Sequence, residues 1–434
     1  MPERFLSAPT ARLWRALRLL LVLALPATLS ACTEELVGGS GCPLLCPQQQ
    51  APFRDTVIEA IAFDTTVGPF PLLGVSGGAL LAARGDTLAT HVVVRFDNLP
   101  SIYSPNGAAI NEEITAIDST VLRFFVDTLN SRSASPFTIE VFDVDTTESD
   151  SVAAVVRGLF RDDRKLSEVT IDPAAIVDSL RIPLPDSFVL ARILDRARVR
   201  VGLRIRPTDN AQLRLGAIVS GQPAPRLTFD PSTDTTFLPL DVTPATTLPG
   251  AELDDVLRLA YTVYTLTERG TPPPPAGTLV AGGWPSRRAY LRFEIPSFIL
   301  DSSTVVRAEL LLTQRPSSGP DRGDSIGVQP YVGVSTSAVT DPYFATVLAA
   351  NGRLAGVDSL RLVPRDSGQR AFNIVSVVRG WAALTPDVTR FVALQMNGEG
   401  SLANELLFHD RSAPPALRPR LRVTFLPRTE FTLP

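Results

Sequence analysis

His91-Val92-Val93-Val94-Arg95-Phe96-Asp97-Asn98-Leu99-Pro100 returns later in the chain as Arg288-Ala289-Tyr290-Leu291-Arg292-Phe293-Glu294-Ile295-Pro296. Both are apolar runs closed by an arginine, a phenylalanine, an acid and a proline. Two further blocks repeat in the same order. Ser119-Thr120-Val121-Leu122-Arg123 returns as Ser303-Thr304-Val305-Val306-Arg307, and Pro225-Arg226-Leu227-Thr228-Phe229 as Pro419-Arg420-Leu421-Arg422-Val423-Thr424-Phe425. Self-similarity sets the number of domains before any local reading. Three ordered matches predict two homologous domains, over 53–230 and 235–426, with the boundary near Asp230-Pro231-Ser232-Thr233-Asp234.

The same stretches predict the fold class. Phe137-Thr138-Ile139-Glu140-Val141-Phe142-Asp143-Val144 and Arg198-Val199-Arg200-Val201-Gly202-Leu203-Arg204-Ile205 alternate with a period of two and are rich in β-branched residues, the pattern of half-buried strands. Many such runs between turn residues predict an all-β protein: two tandem antiparallel jelly-roll-like β-sandwich domains with one or two short helices each. The helical candidates are Ser376 to Leu384, with Val377, Val378, Trp381 and Leu384 on one face, and Ser151 to Phe160. The Pro272-Pro273-Pro274-Pro275 run reads as a stiff loop inside the second domain.

The second domain resembles the DNRLRE-type domain, a jelly-roll β-sandwich of exported bacterial and archaeal proteins, some of which bind polysaccharides. The resemblance rests on three stretches. The first is Tyr290 to Pro296 followed by Val305-Val306-Arg307-Ala308-Glu309-Leu310-Leu311-Leu312. The others are Phe372-Asn373-Ile374-Val375-Ser376-Val377-Val378-Arg379-Gly380-Trp381 and Pro419 to Phe425. The first domain is a divergent copy with no tryptophan to match Trp381, and the eponymous motif is not preserved literally. No binding motif of the family can be quoted from this chain, so the resemblance implies a fold and a carbohydrate-binding class but no site residues.

At the start of the chain, Arg4, Arg12, Arg15 and Arg18 precede an uninterrupted apolar run from Leu19 to Leu25, the layout of a secretory signal over 1–31. A spanning helix needs about 20 apolar residues, and this run is bounded by Arg18 and Pro26. Leu29-Ser30-Ala31-Cys32 resembles the lipobox of bacterial lipoproteins, which implies cleavage before Cys32, a diacylglyceryl group on its thiol and further acylation, a palmitate-type anchor. Two or more acyl chains hold a protein stably on a membrane. Thr33 stands where an aspartate would imply inner-membrane retention, so the expected destination is the cell envelope at the outer membrane, periplasmic or surface-exposed. Residues 32–52 then form the lipidated N-terminus and a tether rich in Gly, Pro and Gln.

Composition agrees with an exported β protein: 38 prolines and 28 glycines punctuate a chain that is 44% apolar and 20% charged. Net charge is −4, and loss of the +3 contributed by residues 1–31 leaves −7. A mildly acidic protein is a poor nucleic-acid binder. Cys42 and Cys46 leave two readings open, a small disulfide loop in an oxidising compartment or two free thiols. His91 and His409 are the only histidines, too few for a structural zinc site.

Chemical signals are sparse. Gly74-Val75-Ser76-Gly77-Gly78 fits a nucleophile elbow, but the preceding Leu72-Leu73-Gly74-Val75 matches Leu279-Val280-Ala281-Gly282, where no serine nucleophile follows, and a turn before a strand is the favoured reading. Asp143 and Asp145, with Glu148 and Asp150 nearby, could offer oxygen ligands to calcium without EF-hand spacing; no other cofactor is expected. Trp381 reads as core, whereas Trp284, in Gly282-Gly283-Trp284-Pro285, reads as an exposed loop residue and the candidate ligand contact. The leading expectation is a non-catalytic, membrane-anchored lipoprotein that binds extracellular or envelope polysaccharide. Behind it stand a structural or assembly lipoprotein docking a protein partner, and a glycan-acting enzyme built on paired carboxylates. Duplication would also permit bivalent binding.

Overall fold

A strand whose outward edge is left unpaired is a liability, and the way this chain covers its edges organises its fold. The computed structural model describes residues 53–70, 77–104, 111–147, 152–217, 223–231, 238–244, 262–335, 337–342, 344–345, 354–382 and 389–428. Over these residues the protein is all-β and antiparallel, with few helices, and Arg54–Pro434 form one compact unit. None of the described helices is long and apolar enough to cross a membrane.

Two hydrophobic cores correspond to two sandwiches. In the first, a four-stranded sheet in the order Ser179–Pro183, Ser119–Phe125, Arg226–Asp230, Leu240–Val242 packs on an eight-stranded sheet centred on Val199–Ile205, Leu88–Phe96 and Ala79–Arg84. Strand Ser119–Phe125 shows why. Its alternation buries Thr120, Leu122 and Phe124 and turns Val121, Arg123 and Phe125 outward. Leu122 and Phe124 share one core with Val92, Val94, Val201 and Leu203 of the wider sheet. In the second sandwich, Gly368–Asn373, Ser303–Arg315, Arg420–Pro427 and Arg54–Ile58 stand in the same order as the narrow sheet of the first. Ile61–Phe70, Ser286–Phe293, Thr389–Met396 and Ile326–Ser335 make the opposing layer. Leu291, Leu310, Phe372, Val392 and Phe425 lie in the core between them.

Sheet membership departs from chain order at one point in each half. Strands Arg54–Ile58 and Ile61–Phe70, expected in the first domain, belong to the second sandwich, where Val57 pairs with Arg422 and Thr66 with Ala289. Strands Leu240–Val242 and Val263–Arg269, expected in the second, belong to the first, where Val242 pairs with Leu227 and Val263 with Val94. The leading strands of the 53–230 and 235–426 ranges thus each pair within the other sandwich. Period-two alternation reports which face of a strand is buried; it carries no information about which edge the strand joins. A threonine on two of the exchanged strands, one in each direction, reinforces the arrangement. Thr265 Oγ1 accepts the Leu80 amide at 3.0 Å, and Thr66 Oγ1 accepts the Val280 amide at 3.1 Å.

The repeat blocks occupy equivalent strands, with one slip. Leu122 pairs with Leu227, and Leu310 with Leu421, so Ser119–Arg123 is equivalent to Arg307–Leu311, four residues beyond the sequence match. Ser303–Arg315 is a 13-residue strand with a register shift between Val305 and Arg307. The matching Ser-Thr pair therefore marks where each strand begins and not its register. The expected helix at 376–384 is present as Val375–Ala382, burying Val377, Val378 and Trp381. That at 151–160 shortens to Ala153–Arg157, with Val152 and Val155 exposed. A third helix, Asp186–Leu194, opens after Pro185 and buries Val189 and Ile193.

Side-chain contacts lock the two sandwiches together. The Asp321 carboxylate, 2% exposed, receives Arg84 and Arg132 of the first sandwich, with Arg132 at 3.3 Å, and Gln212 Nε2 at 3.1 Å. Arg214 Nε donates to Ser401 Oγ at 3.0 Å, and Leu80, Ala82, Leu88, Trp284 and Ala403 form an apolar cluster beside these contacts. Asp321→Ala is expected to cost about 3 kcal/mol, because two guanidiniums would lose their buried counter-ion; urea denaturation of the variant measures this. Native-state hydrogen exchange should show the paired amides of 61–70 and 263–269 as slow as those of the central strands. Exchange at the rate of a fraying terminus would mean that these strands are not integral to the sandwiches.

Candidate functional site

The outward face of the narrow sheet in the first sandwich carries an arrangement that packing does not require. Arg123 lies directly opposite Arg181 on one neighbouring strand and Arg226 on the other. All three occupy solvent-side positions of half-buried strands. Neighbouring strands are about 4.8 Å apart, so three guanidiniums form a row across the sheet, and like charges directly opposite one another destabilise it. Asp241 relieves part of this by pairing with Arg226 at 2.8 Å. A hydrogen bond from Thr228 Oγ1, with Arg226 and Arg123 nearby, holds the Asp241 carboxyl below its ordinary range. Among the described residues, neither Arg123 nor Arg181 has a carboxylate within ion-pair distance.

Beside this row lies a cleft of about 290 Å³, lined by Arg123, Phe125, Asp178, Ser179, Pro223 and Arg226. Its size is at the lower end of small-ligand sites. It combines an aromatic wall with two guanidiniums, a hydroxyl and one carboxylate. The equivalent row of the second sandwich reads Ala371, Leu311, Arg420. Two of the three charges are missing there, so the row belongs to one half of the duplication and is not part of the shared scaffold. Each arginine is visible in the sequence as the polar member of an alternating strand, but their adjacency emerges only from strand register.

The residues singled out from the sequence fare differently. Trp284 is corrected: it is 5% exposed, packed on Leu80, Ala82 and Leu88, with its Nε1 donating to Thr267 Oγ1 at 2.9 Å. The glycine-rich turn that suggested a surface loop is the turn that seats the indole between the sandwiches. Trp381 lies in the core, as expected. Asp143 and Asp145 are also corrected as calcium ligands, because arginines already occupy their oxygens. Arg192 bonds Asp143 Oδ2 at 2.9 Å and Asp145 Oδ2 at 3.2 Å, Arg198 Nε reaches Asp145 Oδ1 at 2.7 Å, and Arg164 lies 3.4 Å from Asp143 Oδ2. Three guanidiniums around two carboxylates leave no negative charge for a cation. Among the described residues no cluster of three or more His, Cys, Asp or Glu could hold a metal. Cys32, Cys42, Cys46, Ser76, Glu148 and Asp150 lie outside the described residues. Ala79–Arg84 and Leu88–Phe96 form a hairpin, as do Thr278–Gly282 and Ser286–Phe293, whereas Leu72–Val75 lie outside the described residues.

His91 has no catalytic setting. It is 8% exposed, its ring lies 4.5 Å from that of Phe160, and its Nδ1 makes no hydrogen bond. Burial, aided by Arg204 and Arg157, lowers its pKa to about 4, so it is neutral at pH 7. His409 is shifted in the same direction by partial burial and Arg315.

No family model matches this chain, and no curated protein matches it in sequence. Among solved structures, the chain has 12% identity and a TM-score of 0.14 to a protein of the T13 IBDV viral particle, covering 87% of this chain and 73% of that one. To a Macrobrachium rosenbergii nodavirus structure it has 9% identity and a TM-score of 0.14, covering 80% and 89%. Scores this low do not describe a shared fold.

His91 makes the stability of the fold depend on pH. Between the unfolded pKa of 6.5 and the folded value of about 4, the unfolded chain binds more protons, so stability falls as pH drops through that window. The full loss is about 3 kcal/mol. In paired urea titrations at pH 7 and pH 4.5, His91→Leu should lose markedly less stability than wild type; equal losses would place the acid sensitivity elsewhere.

Proposed function

We propose that this protein is an exported lipoprotein, anchored through Cys32, that binds extracellular or envelope polysaccharide without chemically altering it. The observation that carries the binding reading is the guanidinium row with its adjoining cleft. A folded sheet gains nothing from three opposed arginines, and charge kept at a cost to stability is a mark of binding surfaces. Phe125 gives the cleft an aromatic wall suited to the apolar face of a pyranose ring, while Ser179, Asp178 and the guanidiniums can meet hydroxyl and acidic groups. The resemblance of the second half to DNRLRE-type domains points to the same ligand class. Hydrolysis is disfavoured at this cleft because glycosidases flank the bond with two carboxylates, whereas Asp178 alone lines it.

A second reading, a structural or assembly lipoprotein docking a protein partner, draws support from the reciprocal strand exchange, which joins the two sandwiches into a body suited to serve as a spacer. Affinity electrophoresis separates the two readings. The full chain in neutral detergent is run through gels cast with a panel of acidic and neutral polysaccharides. Retardation by at least one is expected, weakened in Arg123→Ala. Mobility unchanged by every glycan would favour the assembly reading.

A further inference from the structure

The guanidinium row also indicates what kind of polysaccharide fits. We infer that the ligand is a polyuronate, a chain bearing one carboxylate per sugar, laid across the strands of the narrow sheet with its carboxylates on Arg181, Arg123 and Arg226. This inference rests on the polysaccharide-binding reading above.

Three features of the face support it. The first is spacing. Adjacent strands stand about 4.8 Å apart, close to the length of one pyranose residue along an extended chain, so Arg181 and Arg226 stand about two sugars apart, the interval at which a two-fold chain returns a carboxylate to the same side, with Arg123 between them. The second is donor chemistry. A guanidinium offers two parallel N–H groups that match the two oxygens of a carboxylate, and the carboxylate nearest Arg123, Asp241, is already bound to Arg226 and Thr228. The third is charge density. Asp241 is bound to Arg226, and Asp178 lines the cleft, so three positive charges are set against two negative ones on a protein of net charge −7 without residues 1–31. A phosphodiester or polyphosphate chain would bring dense negative charge against both aspartates. A polymer with one carboxylate per ring, separated by uncharged pyranose faces, matches a weakly positive surface with an aromatic wall. Phe125 then takes a ring face, and Ser179 a hydroxyl.

The row is absent from the second sandwich, where Leu311 and Ala371 replace two of the arginines. Binding is therefore expected at one site per chain, and the duplication does not supply bivalence.

The test uses the full chain in neutral detergent with two polymers of one backbone, sodium polygalacturonate and its fully methyl-esterified, uncharged form. Polygalacturonate is expected to retard the protein and the ester is not. Arg123→Ala should weaken retardation by about tenfold, the loss of one charge-assisted fork, while its melting temperature stays level or rises because opposed like charges are relieved. Arg123→Lys, which keeps the charge and loses the fork, should fall between. Arg307→Ala, which removes an outward arginine paired with Glu309 in the second sandwich, should bind like wild type. Equal retardation by acid and ester would overturn the carboxylate inference while leaving polysaccharide binding intact. Retardation by polyphosphate in place of polygalacturonate would overturn it in favour of a phosphate polymer. Absence of retardation by every polymer would overturn both readings together.

Discussion

The rest of the structure depends on backbone hydrogen bonds at sheet edges. A sandwich of short strands ends in rows of N–H and C=O groups that must be paired, covered or left to water. Here each half covers the critical edges of the other. Arg54–Ile58 and Ile61–Phe70 close both layers of the second sandwich, while Leu240–Val242 and Val263–Arg269 close the first. One consequence is that the halves are not independent bodies on a string. Strand Arg54–Ile58 lies against Arg420–Pro427, so strands far apart in the chain close the second sandwich together.

The contact between the sandwiches follows from this exchange. Strand Val263–Arg269 lies on Leu88–Phe96, and the segment that follows it brings Thr271 and Trp284 toward the first half. Once there, the indole needs an apolar seat and a polar partner for its N–H. Leu80, Ala82 and Leu88 supply the seat, and Thr267 supplies the acceptor. Asp321 meets Arg84, Arg132 and Gln212 across the same junction, a buried acid with its charge answered by the other half. Polar and apolar contacts therefore converge on one seam.

Much of this fold was legible in the sequence, because a sandwich writes its strands as alternation and a duplication writes them twice. Strands Leu88–Phe96 and Ser286–Phe293 lie where the first repeat block placed them, and Val377, Val378 and Trp381 lie on the buried face of a short helix. What the sequence did not reveal depends on contacts between residues far apart in the chain. Trp284 looked exposed because glycines and proline surround it, and a turn against a neighbouring sheet has the same local signature as a turn in water. Asp143 and Asp145 looked like free ligands because the arginines that neutralise them, Arg192 on a later helix and Arg198 just before a later strand, lie far along the chain. The candidate site was hidden for a related reason: Arg123, Arg181 and Arg226 are ordinary outward residues until three strands are placed in register.

Two copies of one scaffold share the demands of folding, so a feature present in both is explained by packing. The paired leucines Leu122–Leu227 and Leu310–Leu421 are of that kind. A feature found in one copy alone, and costly to it, needs another explanation. The arginine row fits that description: its counterpart holds Leu311 and Ala371 at two of the three positions, so the fold forms without those charges. The first sandwich carries the unfavourable electrostatics while its copy does not. That difference is the reason for placing the proposed binding face on the first half.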